Sequence, residues 1–225
     1  PLSDSPRVAA VFGLTLLQTL RDQDQPSDLL EEEDPSVTLP RRLGVSRVVE
    51  QQIRYYQEAV KRKEKMTDDQ VRDLVRLVVR RPDAAQISAR AGWRLAGGGA
   101  WAHRGGTSRF LPRSLALAST RRAAAKGLKA LFGRPMGGFD PGPFALEGRE
   151  LIFIQSDPSG QACQFVSGYC EAVVRRRLGD GYGVVHAQCQ GQGNSTCRWT
   201  MTGEARASET DRVSDLLLRP EPELG

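Results

Sequence analysis

Apolar residues in the N-terminal half of the chain recur every three or four positions, which is the period of an α-helix. They predict a first helix over 8–20 and a second helix that begins near Ser46. The apolar stripe of the second helix consists of Val49, Ile53, Tyr56 and Val60.

Two further helices have start signals. Thr67 and Gln70 form a capping box, in which each side chain accepts a hydrogen bond from a free amide near the other residue. This box opens a third helix, which ends before Pro82. Asp83 can cap a fourth helix, and the glycines at 97–99 stop it. Because the connections are short, we expect these helices to pack together.

The C-terminal half predicts a mixture of helices and strands. A basic, alanine-rich helix covers 114–132, an irregular loop covers 133–142, and the apolar run 151–154 indicates a buried strand. A turn at 157–160 leads into a helix that carries Cys163, and 183–188 and 198–202 form a hairpin. A short helix is predicted around 213–218 in a polar tail. The fold class is therefore α+β, with a small antiparallel sheet packed on helices.

Four segments follow from these elements. They are a helix with an acidic linker (1–45), a helical segment that packs on the core (46–90), an α+β domain (91–202) and the polar tail (203–225). No run of eighteen apolar residues occurs, and 8–20 is too short for a convincing signal sequence, so we expect a cytoplasmic protein without a transmembrane segment.

The net charge of +5 does not by itself indicate a nucleic-acid-binding protein. Arg72, Arg76 and Arg80 recur every four residues opposite an apolar stripe, as in an ordinary amphipathic surface helix. Nucleic-acid binding would need the basic clusters to converge on one surface, and the sequence favours the simpler interpretation.

Two of the four cysteines flank a predicted tight turn. Cys189 and Cys197 enclose two glycines, an asparagine and a serine, so both can lie side by side on paired strands and share a tetrahedral zinc ion. Two alternatives stay open, namely buried thiols that pack as small hydrophobic groups and a disulfide, which a reducing cytoplasm disfavours. Cys170 is seven residues beyond Cys163 on a helix, about 10 Å along its axis, too far to share one ion with it.

The residues around these cysteines resemble the 4-vinyl reductase domain family. The resemblance covers about 91–201, and its specific part consists of Cys163, Phe165, Gly168, Cys189, Gly193, Cys197 and Trp199. The family includes sensor domains of phenol- and toluene-responsive activators and a bacteriochlorophyll-pathway protein, and it is similar in fold to TRAPP-complex subunits.

The resemblance implies a structural zinc ion held by Cys163, Cys189 and Cys197. The sensors add an acidic ligand upstream, but the nearest position that can be aligned here is Gly142. This leaves water or one of three side chains as the fourth ligand: Asp140, Glu147 and His186.

A glycine-rich passage lies between two tryptophans, and its default interpretation is a helix C-terminus followed by a flexible turn. A ligand contact is the alternative, because glycines let a ligand approach the backbone closely. The expected lining consists of Trp93, Trp101, His103 and Phe110.

Catalysis finds little support in the sequence. Its two histidines, His103 and His186, lie in no nucleophile-elbow or zinc-protease motif. We therefore expect a non-catalytic module of the family that binds a hydrophobic or aromatic small molecule and pairs as a homodimer or with a protein partner. The alternatives are a tetrapyrrole carrier or reductase accessory protein, and a TRAPP-like assembly subunit.

Overall fold

The computed structural model describes residues 7–24, 47–97 and 112–203. Within these ranges the chain forms six helices and two small antiparallel sheets, of two and four strands. The predicted α+β class is confirmed. The acidic linker and the tail with its short helix lie outside the described residues.

The N-terminal elements follow the predicted order. Strand β1 (Val8–Ala9) leads into α1 (Val11–Gln23), so the first helix starts three residues later than expected and ends three later. Helix α2 (Arg47–Lys61) is followed by β2 (Lys65–Met66), which pairs antiparallel with β1. Helices α3 (Asp68–Val79) and α4 (Ala84–Gly97) complete this half.

The predicted N-terminal cap forms at α3 but not at α4. Thr67 and Gln70 form the predicted capping box, with amide-to-side-chain distances of 2.9 and 3.2 Å. The carboxylate of Asp83 instead accepts hydrogen bonds from Arg81 at 2.8 and 3.0 Å. The Asp83 carboxylate therefore pairs with the Arg81 guanidinium, although it was expected to cap α4.

Two longer helices build the centre of the C-terminal half. Helix α5 (Arg113–Phe132) ends at Gly133, whose φ of 68° is the left-handed conformation of a helix end. Helix α6 (Gln164–Leu178) packs closely along α4, because glycines let the two backbones meet. A methyl group on Gly92 would overlap the carbonyl of Phe165, and one on Gly168 would overlap the carbonyl of Ala89.

The larger sheet has the strand order β3–β4–β6–β5, and all neighbours are antiparallel. Its strands are β3 (Gly138–Phe139), β4 (Ala145–Gly148), β5 (Gly183–Gln188) and β6 (Cys197–Thr202). The hairpin of β5 and β6 was predicted, whereas β3 falls in the expected loop and β4 was missed.

The buried strand predicted at 151–154 is wrong. The segment is buried as expected, but it turns on itself, with backbone hydrogen bonds of 3.1 Å from Ile154 to Leu151 and 3.0 Å from Ser156 to Phe153. A short apolar run is equally suited to any element that crosses a core, so its composition could not distinguish a turn from a strand.

One hydrophobic core extends from Val8 to Trp199 through both halves of the described chain. At its centre four aromatic rings have centroids 5.0–6.3 Å apart, namely those of Phe12, Phe132, Phe153 and Phe165. Residue 91, the expected start of the third segment, lies inside α4, and the four-segment division stays a prediction. None of the described helices is long and apolar enough to cross a bilayer.

Candidate metal centre

Two cysteines meet at the turn of the β5–β6 hairpin. Cys189 directly follows β5, and Cys197 is the first residue of β6. A single turn of 3₁₀ helix (Gln190–Gln192) and Gly193, with φ of 90°, reverse the chain between them. The backbone amide and the side-chain amide of Asn194 close the turn by donating to the Cys189 carbonyl at 3.2 and 3.1 Å.

The third cysteine stands at the N-terminus of α6. Cys163 is the N-cap residue of that helix, and the preceding loop is fixed by Asp157. The buried carboxylate of Asp157 accepts hydrogen bonds from Ser159, Gly160 and Ala162. Gly160 has a φ of 77° and lies against the Cys189 side chain, where a methyl group would overlap the sulfur atom. The loop therefore positions Cys163 and leaves room for the hairpin thiol.

His186 reaches the same face because of a β-bulge. It pairs with Trp199, but the next partners are Gln188 and Arg198, so one extra residue is inserted in β5. The inserted residue turns Cys189 to the face of His186, where Cys197 and Trp199 also lie, since residues two apart on β6 share a face. The imidazole stacks on the Trp199 ring with centroids 4.7 Å apart and planes 7° apart.

The structure thus brings Cys163, His186, Cys189 and Cys197 together, with their ligand atoms all within 4.8 Å of one another. This Cys3His cluster could hold a metal ion. In a tetrahedral zinc site with bonds of 2.0–2.3 Å the ligand atoms are about 3.3–3.8 Å apart, so small side-chain rotations suffice. None of these cysteines forms a disulfide. A metal ion requires such unoxidised cysteines, which bind it as thiolates.

Two observations on the cluster fit a metal ion. The Nε2 atom of His186 is buried and has no hydrogen-bond partner in the described part of the chain, although a buried imidazole nitrogen normally has one. The backbone amide of Gln190 points at the Cys197 sulfur at 3.4 Å, a contact that stabilises a thiolate.

Hydrogen bonding and burial shift the pKa values of the three clustered thiols. The pKa of Cys197 is lowered, mainly by a hydrogen bond from Cys163 and further by His186. The pKa of Cys163 is raised, first because it donates to Cys197 and second because it is buried. Burial also raises the pKa of Cys189. A metal cation would displace protons from these thiols, because metal ligands must be deprotonated.

The two acidic candidates for the fourth ligand are engaged elsewhere. Arg198 binds the carboxylate of Asp140 at 2.5 Å and that of Glu147 at 3.1 Å. Arg198 follows Cys197 on β6, so its side chain points to the opposite face of the sheet. Of the three candidate side chains, the structure places only His186 among the cysteines.

The expected ligand pocket receives little support. Trp93 is 41% exposed on α4, with the Arg175 guanidinium 5.4 Å from its ring centroid. Trp101, His103 and Phe110 lie outside the described residues. Two cavities between the described helices measure about 10 Å³ each, the space of a single water molecule. A larger groove of about 310 Å³ lies elsewhere, between α5 and β4.

Comparisons with protein-family models, with curated proteins and with solved structures gave no match. The similarity to the 4-vinyl reductase family therefore stays a resemblance, carried by the residues quoted above.

Proposed function

We propose that this chain is a non-catalytic small-molecule-binding module whose C-terminal half is held together by a structural zinc ion. The observation that carries the zinc proposal is the convergence of three buried thiols and one imidazole from a helix N-terminus and a hairpin. Cys163, His186, Cys189 and Cys197 would be the four ligands.

Zinc fits this donor set better than other common ions do. Three thiolates and one imidazole are a standard structural zinc set, whereas Mg²⁺ and Ca²⁺ prefer oxygen ligands. The cysteines are buried, so four protein ligands would leave no open coordination position. Such a site stabilises a fold and does not activate water, which supports a non-catalytic role. The proposal also requires a reducing compartment such as the cytoplasm, because oxidised cysteines do not bind zinc.

A ligand-binding role is supported by the groove between α5 and β4. Its volume of about 310 Å³ is at the lower end of the range for small-molecule sites. It would accept an apolar or aromatic compound, as the family resemblance implies, although its lining differs from the residues expected from the sequence.

The assembly-subunit alternative is favoured by one observation. Four phenylalanine rings fill the centre of the core, so the described helices enclose no cavity of ligand size there. A subunit of this kind would act through a protein partner or a second copy of the chain. A tetrapyrrole carrier would need a larger site than the groove offers.

Metal analysis of purified protein tests the zinc proposal. We expect about one zinc per chain, and the loss of both zinc and thermal stability in Cys189→Ser. Cys170→Ser is the matched control, because Cys170 is equally buried but does not belong to the cluster. Equal zinc contents in both variants, or none in the unaltered protein, would contradict a zinc role for the cluster.

A further inference from the structure

A groove between α5 and β4, at the edge of the core, combines an apolar floor with a basic rim. The floor consists of Leu128, Met136 and Leu146, which are between 1% and 4% exposed. Ala125, Lys126 and Lys129 stand along the α5 wall and are solvent-exposed. The lysines are three positions apart, so both ammonium groups lie on one side of the helix above the same floor.

The surroundings leave this rim positive. Helix α5 has no acidic residue along its whole length of twenty residues. Among the ion pairs between described residues, none involves Lys126 or Lys129. The nearest acid along β4 is Glu147, which points away from Leu146 because strand residues alternate, and its carboxylate binds Arg198 at 3.1 Å.

An apolar floor beside two exposed lysines suits a ligand with two unlike ends. The apolar body of such a ligand would cover Leu128, Met136 and Leu146. Its anionic group would meet Lys126 and Lys129 at the rim. A volume of about 310 Å³ admits a bicyclic aromatic or a medium-length acyl chain and is too small for a tetrapyrrole.

We propose that the groove between α5 and β4 binds a small amphipathic anion, an aromatic or acyl body that carries one carboxylate, sulfonate or phosphate. This inference rests on the proposed ligand-binding function and deepens it, but it does not depend on zinc. The lysines would supply selectivity for the charge, and the apolar lining of the groove would supply affinity that does not depend on charge.

The test compares two fluorescent probes that share one apolar body. 1-Anilinonaphthalene-8-sulfonate carries a sulfonate, and N-phenyl-1-naphthylamine lacks it. Titrations of the full chain at low salt should give one saturable site that prefers the anionic probe. The double variant Lys126→Gln/Lys129→Gln should weaken the anionic probe by about tenfold, as expected for two partly exposed ion pairs, and leave the neutral probe unchanged.

Two variants serve as controls. Lys61→Gln/Lys65→Gln removes the same charge from an exposed region elsewhere and should leave both affinities unchanged. Ala125→Phe places a bulky ring in the groove without cutting into the core, since Ala125 is exposed, and should abolish the binding of both probes.

The outcomes separate the inference from the function it deepens. If both probes bind equally and Ala125→Phe blocks them, but lysine removal has no effect, the anion preference is overturned and the small-molecule site stands. If neither probe binds saturably, the ligand-binding function falls as well. If only vesicles containing anionic lipid bind, and removal of the two lysines abolishes that binding, the basic face is a membrane contact and the proposal is overturned.

Discussion

At the scale of single residues, burial in the core changes the pKa of a tyrosine. Tyr169 is 2% exposed, and its ring packs so closely on Gly127 that a methyl group there would overlap the hydroxyl. Burial raises the pKa of Tyr169 to about 12, and the nearby Cys170 adds to the shift. The ordinary value is 10.0, so the unfolded chain loses this proton at a lower pH than the folded chain does.

The stability of the folded chain therefore depends on pH. A group whose folded pKa is raised contributes stability that is complete below its unfolded pKa and is lost as the pH rises through the folded value. We therefore expect the stability of the unaltered protein to fall between about pH 10 and pH 12. Tyr169→Phe, which has no proton to lose, should fall less over this window.

Urea unfolding at pH 9 and at pH 11.5 measures this difference. Tyr55→Phe is the matched control, because Tyr55 is 51% exposed on α2. Parallel losses of stability in the unaltered protein and both variants would show that Tyr169 does not carry the effect.

His186 shows what the sequence could and could not predict about the site. The hairpin with Cys189 and Cys197 at its turn was predicted from the turn residues, and Cys163 was added to them by the family resemblance. His186, Asp140 and Glu147 could not be ranked, because the choice depends on which face of a strand each occupies. The bulge in β5 reverses that face between His186 and Cys189, and one extra residue in a strand has no reliable sequence signal.

At the scale of elements, the closest packing is between α4 and α6. The two helices approach backbone to backbone at Gly92 and Gly168, as described above. Phe165, one turn before Gly168, packs in the aromatic centre of the core, and Cys163 precedes the same helix. The position of α6 therefore fixes both the aromatic centre of the core and one member of the Cys3His cluster.

We expect Gly168→Ala to destabilise the protein by roughly 1–3 kcal/mol, because the methyl group would collide with the Ala89 carbonyl and push the helices apart. Gly138→Ala is the control, since the space around Gly138 is open. Urea unfolding at neutral pH measures both. A Gly168→Ala variant as stable as the control would contradict the close approach of the two helices.

Helices and strands were predicted correctly where the hydrophobic period or the capping signal in the sequence was strong. Helices α2, α3, α5 and α6 and the β5–β6 hairpin lie close to their expected bounds. The failures were short apolar segments. The run 151–154 turns within the core, and the four-residue β4 is a strand only because β3 and β6 flank it. Tertiary pairing decides such cases, and it is not contained in a local pattern.

At the scale of the whole molecule, the hydrophobic core joins the N-terminal helices to the C-terminal sheet. The Cys3His cluster joins the start of α6 to the β5–β6 hairpin. Zinc would thus connect Cys163 to hairpin ligands that lie more than twenty residues further along the chain. We expect its removal to release the hairpin while the aromatic centre of the core remains packed.

X-ray absorption at the zinc edge on the purified full chain tests the central proposal most directly. We expect a four-coordinate spectrum with three sulfur atoms at about 2.3 Å and one nitrogen at about 2.0 Å from the metal. The nitrogen should be lost in His186→Ala and retained in Asp140→Asn. A metal surrounded mainly by oxygen, or no bound zinc, would contradict the account.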